Sequence, residues 1–398
     1  MPLRILHVIG SVNPAAGGPV EGVKQLSRVN ADYGHTIEVL TLDDPSSPWL
    51  DKIGFPVHAM GPAFTHYAYC PRLVPWLRAH HRDYDVVIVN GIWGYNAFGI
   101  WRVLRGTSTP YYVYTHGMLD PWFKYRFPFK HLKKWLFWPW AVFPVLRDAD
   151  GVFFTCEEER RLARKSFWLY DCNEIVVSYG TPGVPDAAID YGATFLEKHP
   201  GLKPFRRFVF LGRVNPKKGP DIIIKTIARL QAAGRWDPAA MRLIMAGPAD
   251  GAYAAQLQRL AEKQGVAGSI AWTGMLLGDD KWGALQCAEV FVLPSHQENF
   301  GIAVVESLSV GVPVLISKAV NIWADIVADG AGTAADDTVP DFERQMIEWL
   351  DMSAGQVAAM RQRARKCFED RYTAKRAAVL MLANIYQIMA TKKVRDRS

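Results

Sequence analysis

Residues 291–317 read FVLPSHQENFGIAVVESLSVGVPVLIS, and their order carries most of the information about the fold. The apolar run 290–293 reads as a buried strand, residues 294–299 as a tight polar loop, 300–310 as a helix and 314–316 as a second strand. Gly311 and then Pro313 stop the helix in the usual order, glycine just past the end and proline beyond it. A polar loop where a strand hands over to a helix is where open α/β sheets take their ligands. The backbone N–H groups of Asn299, Phe300 and Gly301 would stand at the helix N-terminus, ready for an anion or a sugar hydroxyl. Two acids, Glu298 and Glu306, share this region. Acids near a helix N-terminus ordinarily offset the helix dipole.

The acids are embedded in a longer pattern. Pro294, Ser295, Glu298, Phe300, Gly301, Glu306, Gly311, Pro313 and Val314, in register, resemble the E-x7-E signature of the retaining, nucleotide-sugar-dependent glycosyltransferases of family 4. The resemblance implies an α/β chain of the GT-B fold: two Rossmann-like domains facing a central cleft, with a C-terminal helix crossing back to the first. It also implies that Glu298 and the backbone of Asn299, Phe300 and Gly301 hold the sugar, and that Glu306 accepts hydrogen bonds from the ribose diol.

The whole chain is compatible with this. Its 398 residues suit two or three domains, and 49% apolar with 21% charged residues is the balance of a globular protein. A net charge of +7 permits nucleoside diphosphates or an anionic lipid surface as partners without demanding either. The five cysteines show no metal-ligand spacing, which fits buried thiols in a reducing cytoplasm. The first strand opens at once, so no signal peptide is expected, and no apolar run reaches the roughly 18 residues of a membrane span. Cytoplasmic placement follows as an expectation, with attachment to the inner face of the membrane as a refinement.

Residues 5–9 read as a strand, 13–19 as a glycine-rich loop, 20–32 as a helix and 35–42 as the next strand, a Rossmann-like unit. Gly17 and Gly18 are either plain loop or a close approach to phosphate; the resemblance favours the second. Further strands are expected over 86–89, 111–114, 151–155 and 175–177, and their alternation with helices predicts a parallel sheet. His116 follows the strand 111–114, in register with a family histidine that reaches the sugar. Asn90 stands where many relatives carry histidine. Asp148 and Asp150 form a D-x-D, the metal signature of a different glycosyltransferase fold; just before a strand, they read as strand-entry caps, and no metal is expected.

Residues 121–146, PWFKYRFPFKHLKKWLFWPWAVFPVL, hold ten aromatics and five Lys or Arg. A buried helix with a solvated basic side is one reading. The other is an interfacial segment with Trp122, Trp135 and Trp138 at headgroup depth and Lys124, Arg126, Lys130, Lys133 and Lys134 on anionic lipid, although Pro128, Pro139 and Pro144 spoil one continuous helix. Nothing else in the sequence supports nucleic acid as the partner of these residues.

Residues 178–202 are rich in glycine and proline and read as a linker, dividing domain 1–185 from domain 200–372, with 373–398 as the returning helix and tail. The second half repeats the strand–loop–helix order. Its loop 212–219, GRVNPKKG, resembles the family loop in which Arg213 and Lys218 hold the diphosphate. Two fixed cations can stabilise a departing diphosphate as a metal otherwise would. By resemblance, Met275 lies near the base. The reading is thus a hexosyltransferase with His116, Glu298, Arg213 and Lys218 at the reacting centre, needing no cofactor beyond a UDP- or GDP-sugar. The acceptor is expected to be a glycan, polyprenyl-linked, in cell-surface polysaccharide or O-antigen assembly. The alternatives are an epimerase or hydrolase of the same fold, or a noncatalytic nucleotide-sugar sensor at the membrane.

Overall fold

The structure, a computed structural model, describes residues 2–14, 18–249 and 251–395, with side chains through residue 392. The chain divides into two compact units, residues up to Gly180 together with those from Ala374 onward, and Thr181–Thr373.

The first unit is built on a seven-stranded sheet of order β3-β2-β1-β4-β5-β6-β7. The strands are β1 (Arg4–Ile9), β2 (Thr36–Thr41), β3 (Val57–Ala59), β4 (Val86–Asn90), β5 (Tyr111–Tyr114), β6 (Gly151–Phe154) and β7 (Glu174–Val176). The second holds a six-stranded sheet of order β10-β9-β8-β11-β12-β13, from β8 (Arg206–Leu211), β9 (Met241–Ala246), β10 (Ile270–Gly274), β11 (Val290–Leu293), β12 (Val314–Ser317) and β13 (Gly332–Ala335). The pairings are parallel. Parallel strands buried on both faces read as near-continuous apolar runs, and β11 (VFVL) and β4 (VVIVN, polar only at Asn90) are buried at each position. Both units are therefore Rossmann-like, as the strand–loop–helix alternation predicted.

The sheet order decides where ligands can bind. From β8 the chain winds outward through β9 and β10, then returns to the other side with β11, so the order reverses between β8 and β11. In the first unit the reversal lies between β1 and β4. At such a switch point the loops leaving neighbouring strands diverge and open a crevice at the carboxyl edge.

Two elements differ from the sequence expectation, while the breaks in 122–147 fall at Pro128, Pro139 and Pro144 as expected. The helix after β11 spans Ile302–Ser309, because Gly301 holds a left-handed backbone at φ 74° and delays its start. The segment expected to be a linker instead contains the helix Tyr191–Lys198, capped by Asp190 and anchored by buried Phe195, within the second unit. Residues 122–147 are a broken series of helices, Trp122–Arg126, Pro128–Phe137, a π-helical turn Trp138–Val142, and Phe143–Arg147. The last long helix, Ala374–Arg395, packs on the helix Gly18–Asp32 and so belongs to the first unit. Among the described residues no helix is long and apolar enough to cross a membrane.

Candidate active site

In the second unit the two loops flanking the switch point are tied together. The Lys217 carbonyl accepts the His296 N–H at 2.8 Å and the Ser295 hydroxyl at 2.9 Å. Gly219 has φ 65°, and a Cβ there would lie 2.1 Å from the Pro294 carbonyl oxygen, so only glycine lets the loops approach. The result brings Lys218 and Glu298 into an ion pair, each side chain largely buried. Burial, then Lys217 and Arg213, hold the Lys218 ammonium down to about 7, while the carboxylate beside it pulls the other way. Arg213, exposed on the same loop, pairs with no carboxylate among the described residues.

The Glu298 backbone is itself fixed, donating to the Ala319 carbonyl at 2.9 Å and accepting from the Asn321 N–H at 3.0 Å. The Asn321 side chain reaches the Asn299 oxygen at 3.4 Å. Glu306, buried within its helix, pairs with Lys281 at 2.6 Å, and that lysine lies over the Trp282 ring. Phe300 is buried edge-on against Tyr372, so its ring is core and only its backbone faces the loop. Met275 stands 63% exposed just past β10, beside the loops of β8 and β9, where the Gly247 N–H donates to the Gly274 carbonyl.

His116 lies in the first unit, immediately past β5, in a left-handed conformation with φ 49°. Its Nε2 meets the Asn90 oxygen at 3.1 Å. The Asn90 amide nitrogen faces the Val8 and Ile88 carbonyls at 3.3 and 3.4 Å, so its oxygen must accept, and His116 carries its proton on Nε2. That leaves Nδ1 as the acceptor. Burial drives the imidazole pKa to about 3, so the ring is neutral at physiological pH. Tyr114 stacks on it and Tyr179 packs edge-on.

The strained turn is clamped from below by the buried Glu159. Its carboxylate accepts from the Thr115 hydroxyl at 2.6 Å, the Gly117 N–H at 2.5 Å, and both the N–H and the hydroxyl of Thr155 at 2.7 Å. Asn90, Glu159, Lys281 and Asn321 were not singled out as functional from sequence. The signal for Asn90 was present, a polar residue ending an otherwise apolar strand; the others act through partners distant in the chain. Gly18 opens the helix Gly18–Asp32, and Gly17 lies outside the described residues.

Asp150 accepts the Tyr111 N–H at 3.1 Å, and Asp148 accepts the Trp101 indole N–H at 2.8 Å and pairs with Arg147. Both carboxylates thus serve the entries to strands and helices around them. On the segment 121–146, Lys124, Arg126, Lys130 and Lys133 are exposed, Trp135 is 41% exposed, and Trp122 and Lys134 are half-buried. Trp138 corrects the surface reading at that position: it is fully buried, stacked on Phe167 at 4.0 Å, with its indole N–H on the Leu169 carbonyl.

Residues 17–180 match the family described as "Glycosyl transferase 4-like domain", and residues 193–367 match "Glycosyl transferases group 1". The chain is 27% identical over 390 residues to a GDP-mannose:cellobiosyl-diphosphopolyprenol alpha-mannosyltransferase of Xanthomonas oryzae, covering 95% of this chain and 92% of that one. Its structure resembles a sucrose-phosphate synthase from Thermosynechococcus elongatus, with TM-score 0.76, 17% identity and coverage of 98% and 99% of the two chains. It also resembles HepE from Anabaena in complex with UDP and glucose, with TM-score 0.73, 16% identity and coverage of 98% and 100%. These two likenesses fix the architecture as GT-B. Built from a glycosyl transferase 4-like domain followed by a glycosyl transferases group 1 domain, the chain is a glycosyltransferase.

Proposed function

We propose that the chain transfers a hexose from a nucleoside-diphosphate sugar, with retention of anomeric configuration and without a metal ion, to a glycan carried on a polyprenyl diphosphate. The observation that carries this reading is the Lys218–Glu298 pair between the loops after β8 and β11, with unpaired Arg213 beside it. An incoming diphosphate competes for Lys218. Its charge raises the ammonium's proton affinity and releases the Glu298 carboxylate to accept from a sugar hydroxyl. Arg213 and Lys218 then hold the charge that develops on the leaving diphosphate. Glu306, its charge balanced by Lys281, accepts from the ribose diol. Neutral His116 offers Nδ1 to a sugar hydroxyl rather than adding a positive charge. The departing phosphate takes the acceptor proton.

The relative named for a GDP-mannose donor and a diphosphopolyprenol acceptor supports the substrate classes, being similar along nearly the whole of both chains. Exposed Phe129, Leu136 and Trp140 among unpaired lysines support contact with the cytoplasmic face of a membrane in cell-surface polysaccharide assembly.

A thermal-shift panel of UDP- and GDP-sugars identifies the donor by its stabilisation of the folded chain. With that donor, Arg213→Ala and Glu298→Ala are expected to abolish transfer while the melting temperature without ligand stays within a few degrees. Near-normal turnover in either variant would refute the site. Incubation with donor alone separates transfer from the epimerase and hydrolase readings, which would consume it at full rate.

A further inference from the structure

The helix Pro128–Phe137 and the turn at 165–168 enclose a groove of about 720 Å³ in the first unit. Buried Phe167 lines it, with the His131 ring stacked on that phenyl at 4.8 Å. Trp135 and Trp168 line it as well, their rings 6.2 Å apart and 41% and 66% exposed, and Leu132 extends the apolar wall at 58% exposure. Two indoles and a leucine left this open to water call for an apolar occupant.

The groove's charge is of one sign. Lys124 and Lys165 line it and no carboxylate does. Among the described residues neither lysine forms an ion pair, nor do neighbouring Lys130 and Lys134. The crowding is felt within the cluster: burial and then Lys130 hold Lys134 down to about 8, and His131 is lowered by burial, Lys124 and Lys134. An anion would offset the part of each shift that comes from the neighbouring lysines.

We propose that this groove binds a polyprenyl diphosphate, the isoprenoid chain lying against Leu132, Trp135 and Trp168 and the diphosphate held by Lys124 and Lys165. The proposal rests on the lipid-linked acceptor read above and names where its lipid end sits. A bilayer headgroup needs an exposed face, and that face is separately present at Phe129, Leu136 and Trp140, which are 84%, 61% and 56% exposed. A groove with cations and aromatic walls fits one chain with one anionic end. It also adjoins the His116 turn: Trp93 packs on Phe167 at 5.7 Å and donates its indole N–H to the Met118 carbonyl at 3.3 Å, two residues past the histidine. The diphosphate end of the acceptor would thus lie one indole away from that turn.

Calorimetric titration of the whole chain with geranylgeranyl diphosphate, kept below its micelle concentration, tests this. Binding is expected, with inorganic diphosphate and geranylgeraniol each at least tenfold weaker. Trp168→Ala and Lys165→Glu, both at exposed positions, should each weaken the prenyl probe at least tenfold with unchanged melting temperatures, and Trp168→Phe should restore most of the binding. Binding indifferent to both variants would overturn the groove. Sedimentation with phosphatidylglycerol vesicles separates the two surfaces. Vesicle binding lost in Phe129→Ser/Trp140→Ser while the prenyl probe still binds supports a distinct groove. Vesicle binding with no prenyl binding overturns the groove and leaves the membrane face standing. Transfer to a soluble glycan at full efficiency would remove the acceptor reading, whereas the prenyl titration reports on the groove alone.

Discussion

His116 is a non-glycine in the left-handed region, as Thr65 and Ala68 of the first unit also are, and burial pushes its pKa to about 3. A left-handed non-glycine costs roughly 1–2 kcal/mol, and the buried Glu159 carboxylate, with four hydrogen bonds into the turn and the end of β6, offsets it. The imidazole's orientation comes from Asn90, whose amide nitrogen is committed to two carbonyls. An Asn90→Asp substitution would place a carboxylate on Nε2, favouring the imidazolium, at the cost of turning its second oxygen onto the Val8 and Ile88 carbonyls that the amide nitrogen serves. In the parent, His116 stays neutral down to about pH 3, so kcat should show no acid limb from this group between pH 5 and 8. In the variant the raised pKa should make kcat fall as pH drops from 7 to 5, several-fold across that range. A pH–rate profile for Asn90→Asp parallel to that of the parent would remove Asn90 as the residue that sets the tautomer.

At the scale of elements, the two loops of the second unit approach closely enough for the Ser295 hydroxyl bond and the Lys218–Glu298 pair only because of a backbone contact at Gly219. Gly219→Ala would press a methyl group onto the Pro294 carbonyl and strain a left-handed residue at once. Gly234→Ala is the matched control, with φ 69° and no atom near the added carbon. Both should lose the roughly 1–2 kcal/mol of the left-handed penalty. Gly219→Ala alone should also separate Lys218 from Glu298 and weaken sugar-donor affinity at least tenfold, measured by titration with the nucleotide sugar. Equal affinities in the two variants would disprove the contact's importance. This element was also the most legible part of the sequence, since the apolar run, the polar loop and the Gly311/Pro313 stop are local signals. What was not legible has one physical origin. The Lys281 partner of Glu306 and the Glu159 clamp under His116 are set by partners across the fold. Strands β3 and β13 escaped for a different reason: VHA and GTAA hold no two adjacent β-branched or aromatic residues, whereas the equally short edge strand β7 has Ile175 and Val176.

Across the whole molecule, the order of the chain and the order of its units disagree, because the helix Ala374–Arg395 follows the second unit in sequence and completes the first. Its inward face is Ala377, Ala378, Met381, Leu382 and Ile385, all at most 6% exposed. Burying the three larger side chains contributes roughly 5–9 kcal/mol, comparable with the roughly 5–15 kcal/mol that separates most folded domains from the unfolded chain. Removing residues 374–398 should therefore unfold the first unit while sparing the second, whose own core does not include these residues. The shortened chain should keep a cooperative thermal transition, and a nucleotide diphosphate should still raise its midpoint, because Arg213, Lys218, Glu298 and Glu306 all lie within Thr181–Thr373. Its amide protons in β1, β4 and β5 should exchange rapidly while those in β8, β11 and β12 stay protected. If β1, β4 and β5 remain protected, the helix is an accessory to the first unit, and the seven-stranded sheet with its own helices is sufficient to fold.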